Sequence, residues 1–141
     1  MGTQQILMVV LVLIIIGVAT IAGIFIFRQQ AVNHNRTAII SDMNIISTMA
    51  LSYYRTPEHL GGGNNLWELD PLLEWLNLNM NEEGNRILTK NGEIELEVSD
   101  NGHQLEFIGY GNEIGFDEED AVKARLIYSD PYKLPELEIL N

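Results

Sequence analysis

The sequence predicts an α+β fold: one long N-terminal helix, apolar in its first half and amphipathic in its second, packed against a small antiparallel four-stranded sheet. Three observations on the 141 residues carry this prediction. Residues 6–27 form an apolar run without a single charge. Beyond it no proline occurs before Pro57 and no glycine between Gly23 and Gly61, while Val32, Ile39, Met43, Ile46, Ala50 and Tyr53 recur on one face of a 3.6-residue helix. The C-terminal half then changes period, with Ile94, Leu96 and Val98 alternating with Glu93, Glu95 and Glu97 as in a strand with one buried face.

Taken in order, residues 1–27 form the first segment. Its 22-residue charge-free run is long enough to cross the ~30 Å hydrocarbon layer of a membrane as a helix. A removable secretory signal would carry a basic start and a shorter apolar core ending in a small-x-small site. Met1 to Gln5 contain no Lys or Arg, and the run continues past Thr20 and Gly23, so the segment reads as a lasting part of the structure. Residues 28–54 continue the helix amphipathically, giving a rod from about Thr3 to Tyr54 that measures roughly 75–80 Å at 1.5 Å per residue. Residues 55–84 connect rod and sheet: Pro57 and Gly61-Gly62-Gly63 break the helix, and Asp70-Pro71 reads as an N-cap followed by proline at the first position of a short helix to about Met80. Leu72, Leu73, Trp75 and Leu76 of that helix are expected to face mostly inward.

Residues 85–141 hold the sheet and a C-terminal tail. Ile87-Leu88-Thr89, the Asn91-Gly92 turn, the Glu93 strand, the Asp100-Asn101-Gly102 turn and a strand from His103 to Tyr110 make a three-stranded meander. Val122, Ala124, Leu126 and Tyr128 alternate as a fourth strand, and residues 131–141, with two prolines, are expected to wander. A sheet with one apolar face needs a cover, and the stripe on the rod supplies it.

Composition removes several functions. All 8 Lys and Arg and all 20 Asp and Glu lie after residue 27, so the part outside the apolar run carries the whole formal charge of −12. Such a surface repels phosphate backbones, which argues against nucleic-acid binding through a basic patch. With no cysteine, disulfides, thiolate catalysis and cysteine-ligated metals are excluded. His34, His59 and His103 are dispersed, the rod serines lack a nucleophile elbow, and no cofactor or enzyme motif is present. Gly61-Gly62-Gly63 lacks the following Lys-Ser or Lys-Thr of a phosphate loop and reads as a turn. Asp117, Glu118, Glu119 and Asp120 are a weak candidate for calcium, being consecutive rather than alternating. Asn35-Arg36-Thr37 matches a glycosylation sequon.

In its order of parts the whole chain resembles the type IV pilin superfamily, which includes type IV pilins, the pseudopilins of secretion systems and related filament subunits. A short leader-like start, an apolar helix, its amphipathic continuation, a connecting loop and an antiparallel sheet follow one another as in that family. The resemblance implies processing between Gly2 and Thr3. Where the family carries a glutamate five residues beyond the cut, this chain has Leu7, and only Thr3, Gln4 and Gln5 offer polar side chains nearby. It also implies a cytoplasmic N-terminus, a reading preferred here over the weak opposite bias of Arg28 and Arg36.

The expected function that follows is assembly rather than catalysis. A structural subunit of a type IV pilus-like extracellular filament would polymerise through Ile6, Leu7, Val10, Leu11, Ile14, Ile15, Val18, Ile21, Ile24 and Phe25, with Gly17 and Gly23 as points of helix flexibility or close helix approach. Its partners would be copies of itself in a helical array and an inner-membrane pilus assembly machinery. It would be anchored in the cytoplasmic membrane before assembly and then lie in a cell-surface filament serving adhesion, motility or surface attachment. The alternatives are a minor pilin or pseudopilin of a secretion or pilus machine, and a single-span membrane-anchored binding protein.

Overall fold

The computed structural model describes residues 2–115 and 120–141. Helix α1 runs unbroken over Thr3–Arg55, 53 residues, or about 80 Å. A single 3-10 turn at Glu58–Leu60 and helix α2 at Leu69–Leu76 follow. The strands are β1 Arg86–Leu88, β2 Gly92–Val98, β3 Leu105–Ile114, β4 Ala121–Tyr128 and β5 Glu136–Ile139. They form one antiparallel sheet in the order β1-β2-β3-β4-β5, a continuous meander. The predicted α+β architecture is therefore present, with five strands in place of four. The additional strand lies in the segment expected to wander: Leu137 and Ile139 alternate with Glu136 and Glu138 directly after Pro135, and proline is tolerated at the start of an edge strand.

All six residues of the predicted rod stripe are buried, joined by Ser47 and Tyr54. They lie over β3 and β4, whose inward residues Leu105, Phe107, Ala124 and Leu126 are almost fully covered. Glycine makes this contact close. A Cβ on Gly109 would stand 2.4 Å from Ile39 Cγ2, and one on Gly111 would stand 2.0 Å from Asn35 Oδ1, so the sheet presents bare backbone to the helix at these two positions. Polar ties then fix the docking. Asn35 Nδ2 donates to the Asn91 carbonyl at 2.8 Å, and its Oδ1 accepts from the Glu113 amide at 3.2 Å. Tyr128 donates to the Ser47 hydroxyl at 3.1 Å, and Ser47 donates to the Asn44 carbonyl at 2.8 Å, so both buried hydroxyls are satisfied.

The connection departs from expectation in detail. Helix α2 starts at Leu69 with Glu68 as its N-cap, which puts Asp70 in the first turn, favourable for the helix dipole, and Pro71 third, where no helical partner is needed for its missing N–H. It stops at Leu76, short of the expected Met80, because Asn77 adopts a left-handed conformation (φ 46°) and its amide closes on the Leu73 carbonyl. Leu72 and Leu76 are buried and Leu73 partly so, but Trp75 remains 38% exposed, its ring set edge-on to Tyr53 at 6.0 Å between centroids.

Filling the space above Gly109 should overpack the helix–sheet contact. Gly109→Val is expected to destabilise the folded head by about 1–3 kcal/mol, and Tyr128→Phe by about 1 kcal/mol through its lost hydrogen bond. Thermal unfolding of the detergent-solubilised full chain, followed by circular dichroism, measures both.

Candidate assembly surface

Along α1 the first residue to be buried is Val32. Among the described residues, none covers any part of the most apolar window of the helix. By length and composition this helix can cross a membrane. Ile6, Leu7, Val10, Leu11, Ile14, Ile15, Val18, Ile21, Ile24 and Phe25 are all exposed, from 47% at Val10 to 74% at Phe25. Met8, Val9, Val12, Leu13, Ile16, Ile26 and Phe27 are exposed as well, so the apolar surface runs all round the helix. The unbroken apolar composition of residues 6–27 is the sequence signal that contains this second set as well.

Polar groups within this surface are locally satisfied. Thr20 donates its hydroxyl to the Ile16 carbonyl one turn earlier at 2.8 Å, which suits an environment without water. The helix passes through Gly17 and Gly23 without a break, and a Cβ at either would meet nothing within 4 Å. Each is thus a dent in a wall of branched side chains, open to a neighbouring helix. At the N-terminal end Gly2 is extended (φ −79°, ψ 153°) and helical geometry begins at Thr3, with no acidic residue in the first turn and no side-chain cap. The Gly2–Thr3 bond therefore lies where extended chain enters the helix.

The remaining candidate sites resolve differently. Asp117, Glu118 and Glu119 lie outside the described residues. Asp120 pairs with Lys123 at 2.7 Å, and no three acidic or histidine side chains converge for a metal among the described residues. In the Gly61-Gly62-Gly63 turn, the Gly63, Asn64 and Asn65 amides donate to the Tyr53, Thr56 and Tyr54 carbonyls, closing the C-terminal end of α1. Those amides point into the protein, as a turn requires and a phosphate cradle does not. Asn35 is helical and its amide spans α1 and the sheet; a glycan on Nδ2 would replace the bond to Asn91.

The outer face of the sheet was the other surface to weigh. Four of its glutamates are in cross-strand ion pairs: Arg86 with Glu93 at 3.2 Å and Glu95 at 3.3 Å, and Arg125 with Glu106 at 2.6 Å and Glu138 at 3.4 Å. Tyr110 lies among them, with Arg86 stacked 4.2 Å from its ring centroid and its hydroxyl donating to Glu95 at 3.1 Å. This is a solvated face of partly paired charge, and exposed pairs of this kind contribute little individually. The apolar half of α1, by contrast, has no cover among the described residues.

A comparison of the chain with known protein families, curated proteins and solved structures finds no match.

Burial, followed by the negative charge of Glu95 and its hydrogen bond, raises the Tyr110 phenol above its usual range, against the smaller opposing effects of Arg86 and Lys123. The folded state thus holds this proton more tightly than the unfolded chain. Its contribution to stability is complete below the ordinary phenol value of about 10 and is lost as pH climbs through the raised one. Unfolding of the chain between pH 9 and pH 12, at roughly half-unit steps, should show a loss of stability that Tyr110→Phe lessens, and ultraviolet titration should lose one late-ionising tyrosine in the same variant.

Proposed function

We propose that the chain is a structural subunit of a type IV pilus-like extracellular filament. One observation carries this reading: a single unbroken helix is packed against its own sheet along one half, while among the described residues nothing covers the apolar window of its other half. Residues 6–27 need an apolar surround, and each large side chain withdrawn from water is worth about 1.5–3 kcal/mol. Lipid supplies that surround first. On leaving the bilayer, only other copies of the same helix can replace it on every side. The acidic heads stay outside, where water and salt accommodate the charge of −12 per copy.

A repeated contact between two different patches of one molecule does not close on itself and grows as an open helical array. The helices would form the core and the sheets the outer surface, with extraction from the cytoplasmic membrane driven by an inner-membrane assembly machinery. Adhesion, motility or surface attachment are the roles such a fibre serves.

The test is electron microscopy of fibres sheared from cells expressing the chain, with mass spectrometry of the N-terminal peptide. Thin fibres with these helices at the centre are expected, and a peptide beginning at Thr3 would establish processing after Gly2. A chain confined to the membrane fraction, with no fibre, would assign it instead to a single-span anchor carrying a binding head. Within the apolar half, Ile15→Asp should cost about 2.5–3.5 kcal/mol of membrane insertion and abolish fibres, whereas Ile15→Leu should leave both intact; membrane fractionation and fibre counts read the two effects.

A further inference from the structure

The head carries two apolar flanks on opposite sides of α1. On one, Ile45 and Met49 of the helix and Leu88 at the end of β1 line a groove of about 370 Å³, with Lys90 at its rim. All three apolar side chains are substantially exposed, at 59%, 38% and 44%. On the other flank is β5. Its Leu137 and Ile139 pair across the ladder with Leu126 and Ala124, both buried under α1, so they point to the core face of the sheet. Yet the helix covers β3 and β4 and stops short of them, leaving Leu137 46% and Ile139 55% exposed.

Each flank offers one charge of opposite sign that has no ion pair among the described residues, Lys90 in the groove and Glu136 on β5; Asp42, which also lines the groove, accepts a hydrogen bond from the Asn91 side-chain amide, and Glu138 is held by Arg125. Copies that each carry −12 repel one another, so a contact between them needs a cation of one copy set against an anion of the next. The groove rim and β5 satisfy that requirement while covering apolar side chains on both sides. The outer edge of β1 is already occupied by the chain itself, since the Leu88 amide donates to the Asn79 carbonyl and the Asn81 amide to the Arg86 carbonyl. A neighbour therefore meets the groove through side chains rather than by extending the sheet.

From this we infer that the β5 flank of one copy docks into the α1–β1 groove of a second copy, with Glu136 facing Lys90. The inference rests on the filament reading and names the head-to-head contact within it. The contact joins different patches of the two copies, so it repeats in one direction without closing.

The absence of cysteine makes a direct test clean. Met49→Cys and Leu137→Cys, both at exposed positions, are introduced singly and together into fibre-forming cells, and isolated fibres are oxidised and run on denaturing gels. The double variant is expected to give a ladder of cross-linked multimers, and each single variant none, because the paired positions belong to different flanks. Fibres without a ladder, or dimers from either single variant, would overturn the docking arrangement alone. Failure of the unsubstituted chain to form fibres would overturn the filament reading and the docking with it. Charge reversal gives a second measure that needs no new thiol: Lys90→Glu should lower fibre yield several-fold, and adding Glu136→Lys should restore it. A double reversal no better than Lys90→Glu alone counts against the pairing.

Discussion

An apolar helix surface that none of the other described residues covers is the constraint around which the molecule is organised. Hydrophobic burial is the largest favourable term available to a protein, and here about half of the longest element is excluded from it within the single chain. The head must therefore be stable without help from residues 6–27, using a core gathered on 24 residues of helix and five short strands. That explains the economy of the contact. Gly109 and Gly111 bring backbone against Ile39 and Asn35, and the Tyr128–Ser47 and Asn35–Asn91 bonds fix the helix where apolar packing alone would let it slide.

The same constraint explains the division of charge. A charge among residues 6–27 would cost several kcal/mol in an apolar surround, and none is present. The glutamates alternate outward on β2, where Arg86 holds Glu93 and Glu95, and Arg125 holds Glu106 of β3 and Glu138 of β5, so charge gathers on the outer face while the face turned to α1 stays apolar. Tyr110 completes that outer layer as a cation-stacked, hydrogen-bonded ring rather than as core.

Much of this was legible in the sequence because two periods differ so plainly. A stripe at 3.6 residues, with no Gly or Pro across residues 24–56, left little alternative to one long helix, and the Glu-x-Glu alternation of β2 left little alternative to a half-buried strand. Details that depend on three-dimensional neighbours were less legible. The fifth strand has only four residues between prolines and loop, and it exists because β4 offers it a ladder. The register of α2 follows from Asn77 taking a left-handed conformation, and the exposure of Trp75 follows from where Tyr53 stands. In the candidate site, the apolar run marked the exposed half of α1, whereas the groove between α1 and β1 brings Ile45 and Met49 together with Leu88 from a distant part of the chain and has no local signature.

Continuity of α1 between its two halves has a geometric consequence for any assembly built on it. With no kink between the apolar and the sheet-bearing parts, the orientation of the head about the helix axis is set by the apolar half. Counting about 100° per residue, Gly17 falls roughly 40° from the direction of Ile39, on the side that bears the sheet, and Gly23 falls roughly 160° from it, on the far side. Ile45 and Met49 lie to one flank of Ile39, roughly 80–120° away on the same count. The dents at which a neighbouring helix can approach closely thus face different directions, roughly 120° apart around the rod. Packing a neighbour against one dent brings a different side of that neighbour's head alongside than packing it against the other. A rigid helix with unlike sides therefore favours contacts between unlike patches, which is the geometry that propagates rather than closes.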